Sequence, residues 1–176
     1  MLNFIYDEDR DLRKSSTLHI LAIGVNNYPA QNLNSLKYAE ADAMAVVDAF
    51  VSRHKYTFGN INKTILLGNN VSCQSIEREI DKIADTAKSN DLAIIFFAGH
   101  GLVDNLDKYY LATAETTDGE TPRKGSFSAS SFNEKIAYIN CKLVIFIDAC
   151  YSGKLVEGMR SGGISNAQFF KELRSV

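Results

Sequence analysis

The chain has 176 residues, of which 45% are hydrophobic and 23% charged, with a formal net charge of -2. That length suits one domain with a buried core. The near-neutral charge excludes the electrostatic footprint of a nucleic-acid binder, and no apolar run is long enough to span a bilayer as a helix, so neither nucleic acid nor a membrane is expected as a partner.

Residues 1–16 read as a charged leader. Asp7, Glu8, Asp9, Arg10, Asp11, Arg13 and Lys14 follow one another closely, without the basic start and apolar centre of a signal peptide. Leu18 to Val25 is the first predicted strand, and Asn26, Asn27, Tyr28 and Pro29 after it are turn chemistry. From Tyr38 to His54 the residues Ala39, Ala43, Val46, Val47 and Phe50 recur at helical spacing. Lys63 to Leu67 is a short second strand, stopped by Gly68-Asn-Asn70. Ser72 or Ser75 caps the next helix, whose inner face is Ile76, Ile80, Ile83 and Ala87. Asp91 to Ala98 is the third strand, and Lys108 to Ala112 is one arm of a small hairpin. Thr113 to Ser126 reads as loop, and Ser131-Phe-Asn-Glu134 as the capping box of a short helix. Lys142 to Ile147 is the fourth strand. Beyond Gly153 the pattern thins: Gly158, Gly162 and Gly163 suggest a mobile linker, and Phe169 and Phe170 a short helix.

Strand and helix thus alternate, which predicts an α/β fold with a mainly parallel sheet and helices on both faces. Two near-continuous apolar runs, suited to strands covered on both sides, carry the chemistry. One leads into Gly99-His100-Gly101 and the other into Asp148-Ala-Cys150-Tyr-Ser-Gly153. In parallel sheets, functional groups gather beyond the carboxyl ends of the strands. An imidazole and a thiol brought together there can act as a base and a nucleophile. Cys150 stands where the chain is expected to turn, accessible and near backbone N–H groups that lower a thiol pKa. Gly99 and Gly101 let the backbone approach a ligand, so the Gly101 N–H is a candidate oxyanion donor. Cys73 and Cys141 lack that setting, and His19, within a strand, and His54, at a helix end, read as structural. The three cysteines show no Cys-x-x-Cys spacing, which points to a reducing compartment and a cytoplasmic location.

Phe97-Ala-Gly-His-Gly101 together with Asp148-Ala-Cys-Tyr-Ser-Gly153 resembles the catalytic motifs of caspase-like cysteine peptidases, nearest to metacaspases and related bacterial proteins. His100 and Cys150 lie 50 positions apart, matching the interval of about 50 known for caspases. Leu36-Lys-Tyr-Ala-Glu-Ala-Asp42-Ala resembles the metacaspase segment that enters the first helix. The resemblance implies a caspase-like α/β/α sandwich over residues 17–153, with a tail from 154. It implies Cys150 as nucleophile, His100 as acid–base group, and the backbone N–H groups of Gly101 and Cys150 as oxyanion hole. It implies Asp42 and Asp148 as an acidic pocket that takes Arg or Lys before the scissile bond. Arg53 and Arg123 sit in no matching motif.

No cofactor is expected. Metal-ligand spacing is absent, and Gly99-His-Gly-Leu-Val-Asp104 lacks the third glycine of a dinucleotide fingerprint. The expected partner is a protein or peptide substrate. Members of the family carry two further strands after the catalytic one, whereas 26 residues follow Cys150 here. The chain is therefore expected to be a processed large subunit, a truncated form or a divergent minimal form. A separate small-subunit chain or regulatory protein is then a further partner, and Lys154, Arg160, Lys171 and Arg174 are candidate self-cleavage positions. The alternative from another class is a non-catalytic caspase-fold scaffold or dimerisation module.

Overall fold

The computed structural model describes residues 15–53, 57–119, 121–122 and 124–151, with the main chain only for Cys150 and Tyr151. His54, Arg123, most of the leader and everything expected of residues 152–176 lie outside the described residues. The elements run β1 (Thr17–Gly24), α1 (Ala39–Val51), β2 (Asn60–Leu67), a 3-10 turn (Gly68–Asn70), α2 (Cys73–Thr86), β3 (Leu92–Val103), β4 (Tyr109–Ala112), β5 (Ser126–Ser128), α3 (Ala129–Ile136) and β6 (Lys142–Tyr151). No helix among the described residues is long and apolar enough to cross a membrane.

The sheet is mixed and six-stranded among these residues. Its body is the parallel set β2-β1-β3-β6. Ala98 pairs with Gly24 of β1 and with Asp148 of β6, so β3 lies between those strands. Gly101 pairs with Tyr151 of β6 and with Leu111 of β4. The antiparallel β4 therefore lies on the β1 side, where it takes over after β1 leaves the sheet, and β5 pairs with it in turn.

Alternate residues of the strands feed two cores, as the period of two requires. Leu18, Ile20, Ala22, Ile94, Phe96 and Ala98 pack under α1, which contributes Ala39, Ala43 and Val47. Leu21, Ile23, Ile95 and Phe97 point the other way, onto Ile76, Ile80 and Ile83 of α2 and Ala129 and Phe132 of α3. The two helical faces make the expected α/β/α sandwich. β1 and β3 are buried on both sides, as their apolar runs predict. β6 is not: Val144 and Phe146 are 38% and 43% exposed. They lie in the rows of Ile94 and Phe96, on the α1 side of the sheet, and α1 packs over β1, β2 and β3 rather than over β6.

Several boundaries differ from the sequence-based expectation, each for a physical reason. β2 begins at Asn60 rather than Lys63. As an edge strand it buries little on either face, so its start carries no apolar signal. Ser72 and Ser75 act together rather than as alternatives. The Ser72 hydroxyl accepts from the Ser75 N–H at 3.0 Å and the Ser75 hydroxyl accepts from the Ser72 N–H at 2.9 Å, a capping box built from two serines. The last helix is capped by Ser128, whose hydroxyl accepts from the Ser131 N–H at 3.0 Å, so Ser131 sits inside the first turn instead of before it. That earlier start buries both Ala129 and Phe132. The segment before it holds the three-residue β5, too short for any periodicity. β3 runs on through Gly99-His100-Gly101 to Val103, and β6 through Cys150 to Tyr151. Gly99-His100-Gly101 and residues 148–151 therefore lie within strands, held by ladder pairing, while Ser152 and Gly153 of the second motif lie outside the described residues.

Candidate active site

His100 and Cys150 are direct register partners in the parallel pair β3–β6. The His100 side chain is 5% exposed. Its Nε2 lies 2.7 Å from the main-chain carbonyl oxygen of Asn34. A carbonyl only accepts, so Nε2 carries a proton, and in the neutral imidazole the lone pair is then on Nδ1. Nδ1 is buried and has no hydrogen-bond partner among the described residues. A buried acceptor left unpaired costs free energy, and such atoms in folded proteins call for an explanation. Here the unsatisfied nitrogen belongs to the residue directly across the ladder from Cys150.

The Asn34 carbonyl is held in place by its own loop. The Leu36 N–H donates to the Asn26 carbonyl at 2.8 Å. The Asn26 and Glu40 side chains each accept from the other's main-chain N–H, at 3.2 and 3.3 Å. Farther along, the Ala30 N–H donates to the Thr116 carbonyl at 3.1 Å. The Asn32 side chain donates to Asp118 at 2.9 Å and accepts from the Gly119 N–H at 3.0 Å. The Tyr28 ring packs on the imidazole, with centroids 4.9 Å apart and planes inclined at 41°. Its hydroxyl accepts from the His100 main-chain N–H at 3.0 Å and donates to the Val25 carbonyl at 2.9 Å.

Gly99 and Gly101 have a steric reason different from the expected one. A Cβ at Gly99 would lie 2.9 Å from the Tyr28 hydroxyl and 2.9 Å from the Phe97 ring. A Cβ at Gly101 would overlap the hydroxyl of Tyr109, a fully buried side chain. Both glycines make room for tyrosines within the fold. Gly101 is paired on both sides rather than set in an open turn.

Asp148 is exposed on β6, in the row of Ala98 and Gly24 and two residues before Cys150. Asp42 is half-buried in the first turn of α1, the helix that covers this face. The two carboxylates thus share a face and an end of the sheet with His100's strand. Asp42, with Glu40, also places negative charge at a helix N-terminus, a favourable position whatever else it does. Arg53 is exposed just past the far end of α1.

The remaining candidates behave structurally. His19 Nε2 donates to Asp91 at 3.2 Å, with both side chains buried. This pair sits at the opposite end of the sheet from His100. Burial pushes the Cys73 thiol up to about 11, with Glu115 and Glu77 adding to the effect. Burial also raises the Cys141 thiol. Neither is a ready thiolate at neutral pH.

Two contributors escaped the sequence. Asn34 acts through its main chain, which any residue supplies, so no side-chain pattern marks it. Tyr28 carries only the weak signal of an aromatic residue in the loop after the first strand.

A family model described as the caspase domain matches residues 17–172. Among solved structures, protein GSU0716 from Geobacter sulfurreducens is similar in fold, with a TM-score of 0.65 at 17% sequence identity over 90% of this chain. This chain covers 62% of that one. No curated protein matches. The parallel sheet with helices on both faces, and the family match across nearly all of it, place this chain in the caspase domain family of cysteine peptidases.

Proposed function

We propose that the chain forms the catalytic part of a cysteine endopeptidase that cleaves after Arg or Lys. The observation that carries the reading is Nδ1 of His100, buried and without a partner among the described residues, whose ring's other nitrogen is committed to the Asn34 carbonyl and whose residue is in direct register with Cys150. That tautomer is the one a base needs. Nδ1 takes the Cys150 thiol proton, and the thiolate adds to the peptide carbonyl carbon. The family resemblance assigns the resulting oxyanion to the Gly101 and Cys150 N–H groups, which must leave their ladder pairing to reach it. The imidazolium returns its proton to the amine as the C–N bond breaks, leaving a thioester. Water deprotonated by Nδ1 hydrolyses the thioester, which frees the carboxylate product and restores the thiol. Asp42 and Asp148 attract a cationic side chain and repel an anionic one. The same preference makes Lys154, Arg160, Lys171 and Arg174 candidate self-cleavage positions.

The test is hydrolysis of fluorogenic peptides ending in Arg, Lys or Asp by the protein carrying this chain. Cleavage after Arg and Lys but not Asp is expected, and none by Cys150→Ala. Asp148→Ala should lower kcat/KM for the Arg peptide roughly tenfold to a hundredfold, the worth of one charge-assisted contact. Equal cleavage after Asp would sink the acidic pocket, and an active Cys150→Ala would sink the nucleophile.

A further inference from the structure

In a parallel ladder, a residue bridges its neighbour by donating to the residue before its partner and accepting from the residue after it. Val25 makes the first of these bonds across to β3, donating from its N–H to the Ala98 carbonyl at 3.1 Å. The second would run from the His100 N–H to the Val25 carbonyl. In its place stands the Tyr28 hydroxyl, which accepts from the His100 N–H at 3.0 Å and donates to the Val25 carbonyl at 2.9 Å. A side chain has been spliced into the rung at which the ladder reaches His100. Gly99 admits it, since a Cβ there would lie 2.9 Å from the hydroxyl.

We propose that Tyr28 is a positioning residue for His100, its inserted hydroxyl spacing β3 from the end of β1 and its ring holding the imidazole so that Nε2–H meets the Asn34 carbonyl and Nδ1 stays free. The role rests on the peptidase reading of the site. The hydroxyl has one proton, already given to Val25, so Tyr28 does not itself exchange protons with the imidazole. Burial raises the phenol well above its usual range, assisted by Glu40 and opposed by the bond from the His100 N–H. Tyr28 is therefore protonated, and the rung intact, across the working pH range. Without the hydroxyl, either the His100 N–H and Val25 carbonyl lose their partner, or the two strands close on each other directly. Both outcomes shift His100 relative to β6.

The decisive variant is Tyr28→Phe, which keeps the ring and removes the rung. Imidazole nitrogen shifts of the 176-residue chain, measured by NMR, report which nitrogen carries the proton. The wild-type chain should show His100 as one fixed tautomer, protonated at Nε2, and Tyr28→Phe should show averaging between the two. Cys150 alkylation by iodoacetamide at neutral pH should slow by about tenfold to a hundredfold, the scale of a misplaced catalytic group. Tyr28→Phe with an unchanged tautomer and unchanged alkylation would overturn the proposal. If that variant fails to unfold cooperatively, the wild-type spectrum still decides, because tautomer averaging there overturns it equally. Peptide hydrolysis is not the readout, so an inert chain with a fixed His100 tautomer would count against the peptidase reading and not against Tyr28.

Discussion

The two thiols whose surroundings are described, those of Cys73 and Cys141, both have their pKa raised by burial. Cys73 is a partly buried member of the core beneath α2, and its thiol is pushed up to about 11. At pH 7.5 only about three in ten thousand such groups are thiolate, and the fraction grows roughly tenfold per pH unit. Brief alkylation followed by peptide mapping should therefore label Cys150 first at pH 7.5. Raising the pH to 9 should speed Cys73 by about thirtyfold and Cys150 far less, because on the proposed mechanism Nδ1 of His100 takes the Cys150 proton as it attacks. Fast labelling of Cys73 or Cys141 at neutral pH would remove the assignment of Cys150. The sequence singled out His100 and Cys150 through the glycines and apolar runs around them. It was silent on the Nε2 partner, because a main-chain carbonyl has no residue type.

At the scale of elements, the β3–β4 pair shows why Gly101 is glycine. Tyr109 is fully buried on β4, and its hydroxyl occupies the space a Gly101 side chain would need. Gly101→Ala is expected to cost about 3 kcal/mol, at the upper end of overpacking penalties, and thermal unfolding should show the loss. A variant as stable as wild type would mean that Tyr109 can move aside. The expected ligand-approach role came from the local Gly-His-Gly pattern alone. The steric role required knowing that a hairpin folds Tyr109 back across the strand. β6 illustrates the converse. Its apolar run predicts a strand correctly, but periodicity cannot say how far α1 extends sideways, so the exposure of Val144 and Phe146 was not legible.

The whole molecule is tied at the end of the sheet remote from His100 by one carboxylate. Asp91 accepts from the Thr17 N–H at 2.7 Å, the Lys88 N–H at 2.8 Å and His19 at 3.2 Å, joining β1, the α2–β3 loop and β3. Burial alone would raise its pKa, but these donors outweigh burial and hold it below the usual carboxylate value. Glu79 is likewise held low by Lys82 and Arg78 against its own burial. A carboxylate depressed in the folded state contributes stability that is full above its unfolded pKa of about 4 and is lost as pH falls toward the folded value. Asp91→Asn, which leaves buried donors without an acceptor, should lose about 2–4 kcal/mol in urea unfolding at pH 7. Its deficit should shrink as the pH is lowered through 4 and below, where wild type loses the same interaction. A deficit constant with pH would refute the electrostatic account. What the sequence determined by itself was whatever is encoded within about ten residues: the apolar runs of β1, β3 and β6, the serine cap of α2, and the glycine-flanked motifs that carry the family resemblance. Tertiary structure decided the rest. The His100 tautomer depends on a carbonyl 66 residues away and the rung beside it on Tyr28, a hydroxyl 72 residues away. Contacts of that range are made by loops closing over a sheet, and no local pattern records where they close.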